Sequence, residues 1–169
     1  RIVRLIESCS GDSLIIFAIS GGGSSLVELP VSNAITLEDL RDLNRVLISC
    51  GASIREINVV RKRLSRVKGG RLGFLARRCQ SVALFVSDVN PGDIRSIASN
   101  PLLREDDSPD EFASILEKYQ LTDKMPASVR TLIQGGAVPE PPREWREGGF
   151  EPLTVLLLEN GDALSAASG

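Results

Sequence analysis

Three stretches of this 169-residue chain are apolar at almost every position: Ser13–Ile19, Ser81–Val86 and Leu153–Leu158. An amphipathic strand alternates polar and apolar residues. A continuous apolar run instead suits a strand buried on both faces, as in a parallel sheet. Between the runs lie helical patterns, so the chain reads as an α/β protein with a parallel sheet. Three strands are few for such a sheet, and further sequence outside this chain is expected.

The helical stretches carry their own start signals. Ile2, Leu5 and Ile6 recur at helical spacing, and Gly11 ends that helix. Thr36 precedes Leu37-Glu38-Asp39 and caps a helix whose apolar face is Leu37, Leu40, Val46 and Leu47. Ser53 with Glu56 is a second capping box, opening a helix to about Val67 with Ile57, Val60 and Leu64 on one side. Residues 71–78 form a short helix. Ser108, Pro109 and Glu111 mark a further start, with a helix to about Tyr119. Residues 126–134 form another. Residues 136–150 are a proline- and glycine-rich loop anchored by Trp145. Asn160-Gly161 turns the chain, and a last helix begins at Ala163.

The composition excludes several chemistries. There is no histidine, which removes Ser-His-Asp catalysis and imidazole ligation. Cys9, Cys50 and Cys79 are odd in number and widely spaced, so reduced thiols in a cytosol-like compartment are the reading. The formal charge of -2 gives no global attraction to nucleic acid or membrane. No apolar run reaches the roughly 18 residues of a membrane span.

In open α/β sheets, ligands bind beyond the carboxyl ends of the strands. Three loops leave those ends here: Ser20-Gly21-Gly22-Gly23-Ser24-Ser25, Ser87–Asp93 and Glu159–Asp162. Glycines let a backbone approach a ligand closely, and successive N–H groups favour an anion. The serines add hydroxyl donors. The loop matches neither the Walker A pattern nor GxGxxG, and a simple flexible turn remains the alternative. Asp88 leaves the second strand where a carboxylate can hold magnesium or a hydroxyl in phosphoryl transfer, and Asp93 is placed to share that role. An Asx turn or a helix cap is the competing use of both.

Residues 55–78 hold nine basic side chains against Glu56 alone. Most suit a solvated helix face. Lys62 is a candidate phosphate contact. Lys68, just before Gly69-Gly70, is placed to project from a helix end into a cleft. Nucleic-acid binding through this segment is a rival reading that predicts steep salt dependence.

The order ISGGGSSLVELP, ITLEDL, GASIREINVVRKRLSRVKGGRL, SDVNPGDIRSIASNP and PASVRTL closely resembles the glycerate kinases of the MOFRL type, a family that also includes hydroxypyruvate reductase names. The resemblance covers essentially the whole chain. It implies ATP-dependent phosphorylation of D-glycerate, with 2-phosphoglycerate as the expected product, and Mg2+ as the accompanying ion. It implies a Rossmann-like three-layer sandwich with a mostly parallel sheet, incomplete here. Residues 1–169 would be part of the larger N-terminal domain, without the family's early segment and its C-terminal domain, and would supply one wall of the active-site cleft.

Within that resemblance, Lys68 and Asp88 are the expected catalytic residues. Ser20, Gly21, Gly22, Gly23, Ser24, Ser25 and Lys62 would bind substrate or phosphate, and Asp88 and Asp93 the metal. The chain departs from the family at Arg63, where histidine is usual, at Asn100, where glycine is usual, and at Asn90-Pro91-Gly92-Asp93, where Gly-Asp-Asp is usual. A divergent relative that binds a small anion or a partner without catalysis is the alternative. The expected partner is a small-molecule substrate, without nucleic acid or membrane and with homo-oligomers admitted. The expected compartment is cytoplasmic, or mitochondrial if a transit segment precedes the chain.

Overall fold

The computed structural model describes residues 1–87, 93–105, 108–139 and 151–158. Along the chain run α1 (Ile2–Ser8), β1 (Leu14–Ser20), α2 (Gly23–Leu26), α3 (Leu37–Ser49), α4 (Ile54–Arg63), α5 (Arg71–Leu75) and β2 (Gln80–Val86). A 3-10 segment (Ile94–Ser99), α6 (Pro109–Lys118), α7 (Ala127–Gln134) and β3 (Leu153–Leu158) follow. Asn160, Ala163 and Trp145 lie outside the described residues.

The strands form one all-parallel sheet in the order β1-β2-β3. Residues Leu14 to Ser20 pair in register with Gln80 to Val86, so the carboxyl ends of β1 and β2 finish side by side at Ser20 and Val86. The β2–β3 ladder runs from Val82 opposite Leu153 to Val86 opposite Leu158, with an irregularity between Phe85 and Val86. The α/β class with a parallel sheet is therefore as the sequence indicates.

The chain divides into two compact units. The first comprises 1–28, 67–105 and 143–169 and carries the sheet. Its buried residues include Phe17, Ala83 and Phe85, which share one face of the sheet. The opposite face carries Leu14, Ile16, Leu153 and Val155, and it is exposed among the described residues. The expectation of strands buried on both faces holds for one face of β1 and β2, while β3 is exposed on both faces among the described residues. An apolar run permits burial on two sides, but the cover must come from other elements.

The second unit comprises 29–66 and 106–142. Its core joins Leu43 and Leu47 of α3, Ile57 and Val60 of α4, and Phe112 and Ile115 of α6 with Leu121, Met125 and Val129. Leu37, expected on the buried face of α3, is 65% exposed. It stands roughly 120° around the helix from Leu43 at 3.6 residues per turn. Helix α4 stops at Arg63 and not near Val67. Beyond Leu64 the chain becomes extended, bridging Ser65 to Pro30 and donating the Arg66 N–H to Leu29 O at 2.7 Å.

Both expected capping boxes form. Thr36 accepts the Asp39 N–H while Asp39 accepts the Thr36 N–H at 2.8 Å. Ser53 and Glu56 exchange bonds in the same way. Ser108 accepts the Glu111 N–H, and Pro109 occupies the first helical position. Among the described residues, no helix is long and apolar enough to cross a membrane.

Glu56 ties α4 to α6. Besides its cap, its carboxylate accepts from Lys118 Nζ at 2.8 Å and from the Tyr119 hydroxyl at 3.0 Å. The Lys118 hydrogen bond first, and the Ser53 backbone bond second, lower its pKa from 4.5 to about 2. A depressed folded-state pKa stabilises the protein above the unfolded value and loses that contribution as pH falls through the folded one. Unfolding midpoints should therefore drop between about pH 4.5 and about pH 2. In Glu56→Gln the drop across that window should be shallower, as read from urea denaturation at each pH.

Candidate functional site

Strand β1 delivers the chain to Ser20, and the glycines turn it into the four-residue α2. These glycines do not serve a left-handed backbone. Positive φ occurs at Gly51, Gly69, Gly70 and Gly136, and Gly22 has φ of -61°. A Cβ on Gly23 would meet Ala98 at 3.4 Å, whereas one on Gly22 would point into open space. Gly23 thus packs against the scaffold, and Gly22 faces outward.

The scaffold behind the loop is strained. Ala98, Ser99 and Asn100 are consecutive non-glycine residues with φ of 52°, 60° and 50°. Left-handed backbone costs L-residues roughly 1–2 kcal/mol each, less for asparagine, and it persists where surrounding bonds impose it. Here they do. Ser99 O accepts the Gly69 N–H at 3.1 Å, and Asn100 O accepts the Gly70 N–H at 2.6 Å. Pro101 O accepts from Leu72 N at 3.0 Å and Gly73 N at 3.1 Å. The otherwise orphaned amides that open α5 are thereby satisfied. The Asn100 side chain accepts the Leu103 N–H at 3.0 Å and donates to Glu105 at 3.2 Å.

Two contacts join this scaffold to the glycine loop. The Ser24 and Ser99 hydroxyls are 2.7 Å apart. Lys68 Nζ donates to Glu28 Oε2 at 2.6 Å and to Ser24 O at 2.9 Å, with its side chain only 3% exposed. The sequence suggests a lysine projecting into a cleft. In the structure its ammonium group is directed at α2 and at Glu28, two residues beyond it.

The other expected residues are placed as follows. Ser20, Gly22 and Ser25 are exposed at the strand end, and Ser25 Oγ donates to Gly22 O at 3.1 Å. Gly21 is half-buried beside them. Asp93 is exposed and accepts from Ser96 Oγ, the local turn bond that competes with a metal role. Asp88 lies outside the described residues, although the β1–β2 register sets Val86, two residues before it, opposite Ser20. Lys62, expected as a phosphate contact, is a buried residue of α4 in the helical unit. Among the described residues, no three carboxylates or thiols cluster as a metal site would require.

A cavity of about 320 Å³ opens behind the loop in the sheet-bearing unit. Ile6, Phe17, Ile19, Val27 and Leu72 line it together with Ser20 and Lys68. Its walls are mostly apolar, which suits apolar packing more than a hydrophilic anion.

The family described as a domain of unknown function, DUF4147, matches residues 1–134. The chain belongs to the DUF4147 family. A glycerate kinase of Danio rerio is 38% identical over 170 residues, covering 97% of this chain and 33% of the relative. A glycerate 2-kinase of Pyrococcus horikoshii is 40% identical over 134 residues, covering 79% of this chain and 30% of the relative. The crystal structure of a Thermotoga maritima glycerate kinase superposes with a TM-score of 0.75 at 34% identity, covering 94% of this chain and 35% of that one. This DUF4147 chain spans about a third of the length of these relatives.

Sequence reasoning did not find Glu28, nor the left-handed run at 98–100. Asn100 was the available signal, because asparagine tolerates that conformation; Ala98 and Ser99 carry none. The scaffold yields a graded test. Asn100→Ala loses the side-chain bonds and keeps a strained Cβ, so thermal or urea unfolding should show a loss of about 2 kcal/mol. Asn100→Gly relieves the strain and should lose less. Gly73→Ala should cost about 3 kcal/mol or more, since its Cβ would fall 2.0 Å from Leu102 O.

Proposed function

We propose that the protein carrying this chain phosphorylates D-glycerate with ATP, giving 2-phosphoglycerate, and that this chain, as part of the N-terminal domain, supplies one wall of the cleft. What carries the reading is the agreement of relatives named glycerate kinase, from a fish and two thermophiles, over most of this chain. The arrangement at the strand ends supports it. A glycine loop with serine hydroxyls stands beside the strand that leads to Asp88. In this reading Ser20–Ser25 seat the glycerate carboxylate or a phosphate, with Gly22 leaving room for it. Asp88 orients the substrate hydroxyl. Phosphoryl transfer depends mainly on positioning and electrostatics, so these residue types suffice without histidine.

Magnesium fits the described residues poorly. Asp93 is a single carboxylate engaged by Ser96, and no acidic cluster accompanies it among the described residues. Asp88, the other expected metal ligand, lies outside the described residues.

Full-length protein supplied with ATP and D-glycerate should form ADP only when both are present, as read by a coupled assay. Folded protein without turnover would overturn the proposal. The seat itself is tested at Gly22, where a Cβ meets no protein atom within 4 Å. Gly22→Val should leave the melting temperature within a few degrees and raise KM for D-glycerate about tenfold. An unchanged KM would remove the loop from the binding site.

A further inference from the structure

We propose that Lys68 and the otherwise unassigned Glu28 form a clamp that positions the glycine loop, and that Lys68 acts through the loop without contacting the transferred group. The inference rests on the proposed role of Ser20–Ser25 as the anion seat.

Helix α2 has only four residues, and Val27 after it is already extended. A helix that short does not sustain itself, because nucleation is unfavourable and it closes few intrahelical bonds. Lys68 Nζ donates to the Ser24 carbonyl of this helix at 2.9 Å. A cation at a helix carboxyl end is also electrostatically favourable. The same ammonium grips Glu28, four residues further along the chain, at 2.6 Å. One side chain therefore fixes α2 and the exit from it.

The lysine's own backbone is anchored. Gly69 and Gly70, next in sequence, are bonded to Ser99 and Asn100, and Ser99 in turn meets the Ser24 hydroxyl. The clamp thus closes a ring: Lys68, the left-handed run, Ser24 and back to Lys68. If Lys68 swung away to a phosphate, the Glu28 carboxylate would lose the ammonium that it accepts from at 2.6 Å. Holding the loop asks for no such rearrangement.

The test uses full-length protein with Lys68→Met, Glu28→Gln and the double variant Lys68→Met/Glu28→Met. Two readouts are taken: hydrogen exchange of the 21–28 segment relative to β2, and kcat and KM for D-glycerate. A positioning clamp predicts that both single variants speed exchange in 21–28 about tenfold while β2 stays protected. It predicts that both raise KM more than they lower kcat, Glu28→Gln matching Lys68→Met. The double variant leaves no lone buried charge, so it should fold even if a single variant does not. It should still show the faster exchange, and its kinetic loss should be no greater than that of either single variant. A silent Glu28→Gln beside a Lys68→Met whose kcat collapses would overturn the proposal, as would unchanged exchange in the double variant. The exchange arm needs no turnover, so it decides the clamp even if wild-type protein shows no glycerate kinase activity.

Discussion

The carbonyl oxygen of Leu102 lies where a Cβ on residue 73 would come within 2.0 Å of it, so the 97–103 segment can rest on α5 only because residue 73 is glycine. That close approach organises the sheet-bearing unit. It brings Pro101 O onto the opening amides of α5 and sets Ser99 and Asn100 against Gly69 and Gly70. To stay there, Ala98, Ser99 and Asn100 adopt left-handed backbone, a strain that backbone and side-chain bonds at Ser99, Asn100 and Pro101 offset. The result is a stiff surface against which Gly23 packs. The glycine loop is thus carried on a rigid element and not left as a free turn, as accurate ligand positioning demands.

What the sequence made legible was local. The capping boxes at Thr36 and Ser53 and the Ser108-Pro109 start are recognisable because all their atoms lie within one turn. The three strands announce themselves by composition alone. Residues that meet across the fold leave no such mark. Lys68 and Glu28 are 40 positions apart, and Ser24 and Ser99 are 75. Neither spacing corresponds to a period of helix or strand. Leu37 shows the same limit at small scale: it is apolar and helical, yet it sits off the core face by its angular position.

The candidate site follows the same division. That a glycine loop follows β1 could be read directly, and the register of β1 with β2 explains why the loop that bears Asp88 starts next to it. The direction of Lys68 could not be read, because a lysine before two glycines looks the same whether it reaches outward or inward. Its partner decides, and the partner is a glutamate that carried no signal. The basic segment 55–78 divides for a similar reason, with Lys62 buried in the helical unit and Lys68 in the sheet-bearing one.

The central claim is that the loop, held by Lys68, is the ligand's seat while the lysine itself stays away from the ligand. A crystal structure of the full-length protein with D-glycerate bound tests it most directly. The ligand carboxylate should lie about 3 Å from donors within residues 20–25, and Lys68 Nζ should remain bonded to Glu28 and Ser24. A lysine released from Glu28 and bonded to the ligand, or a ligand bound away from the loop, would contradict the account.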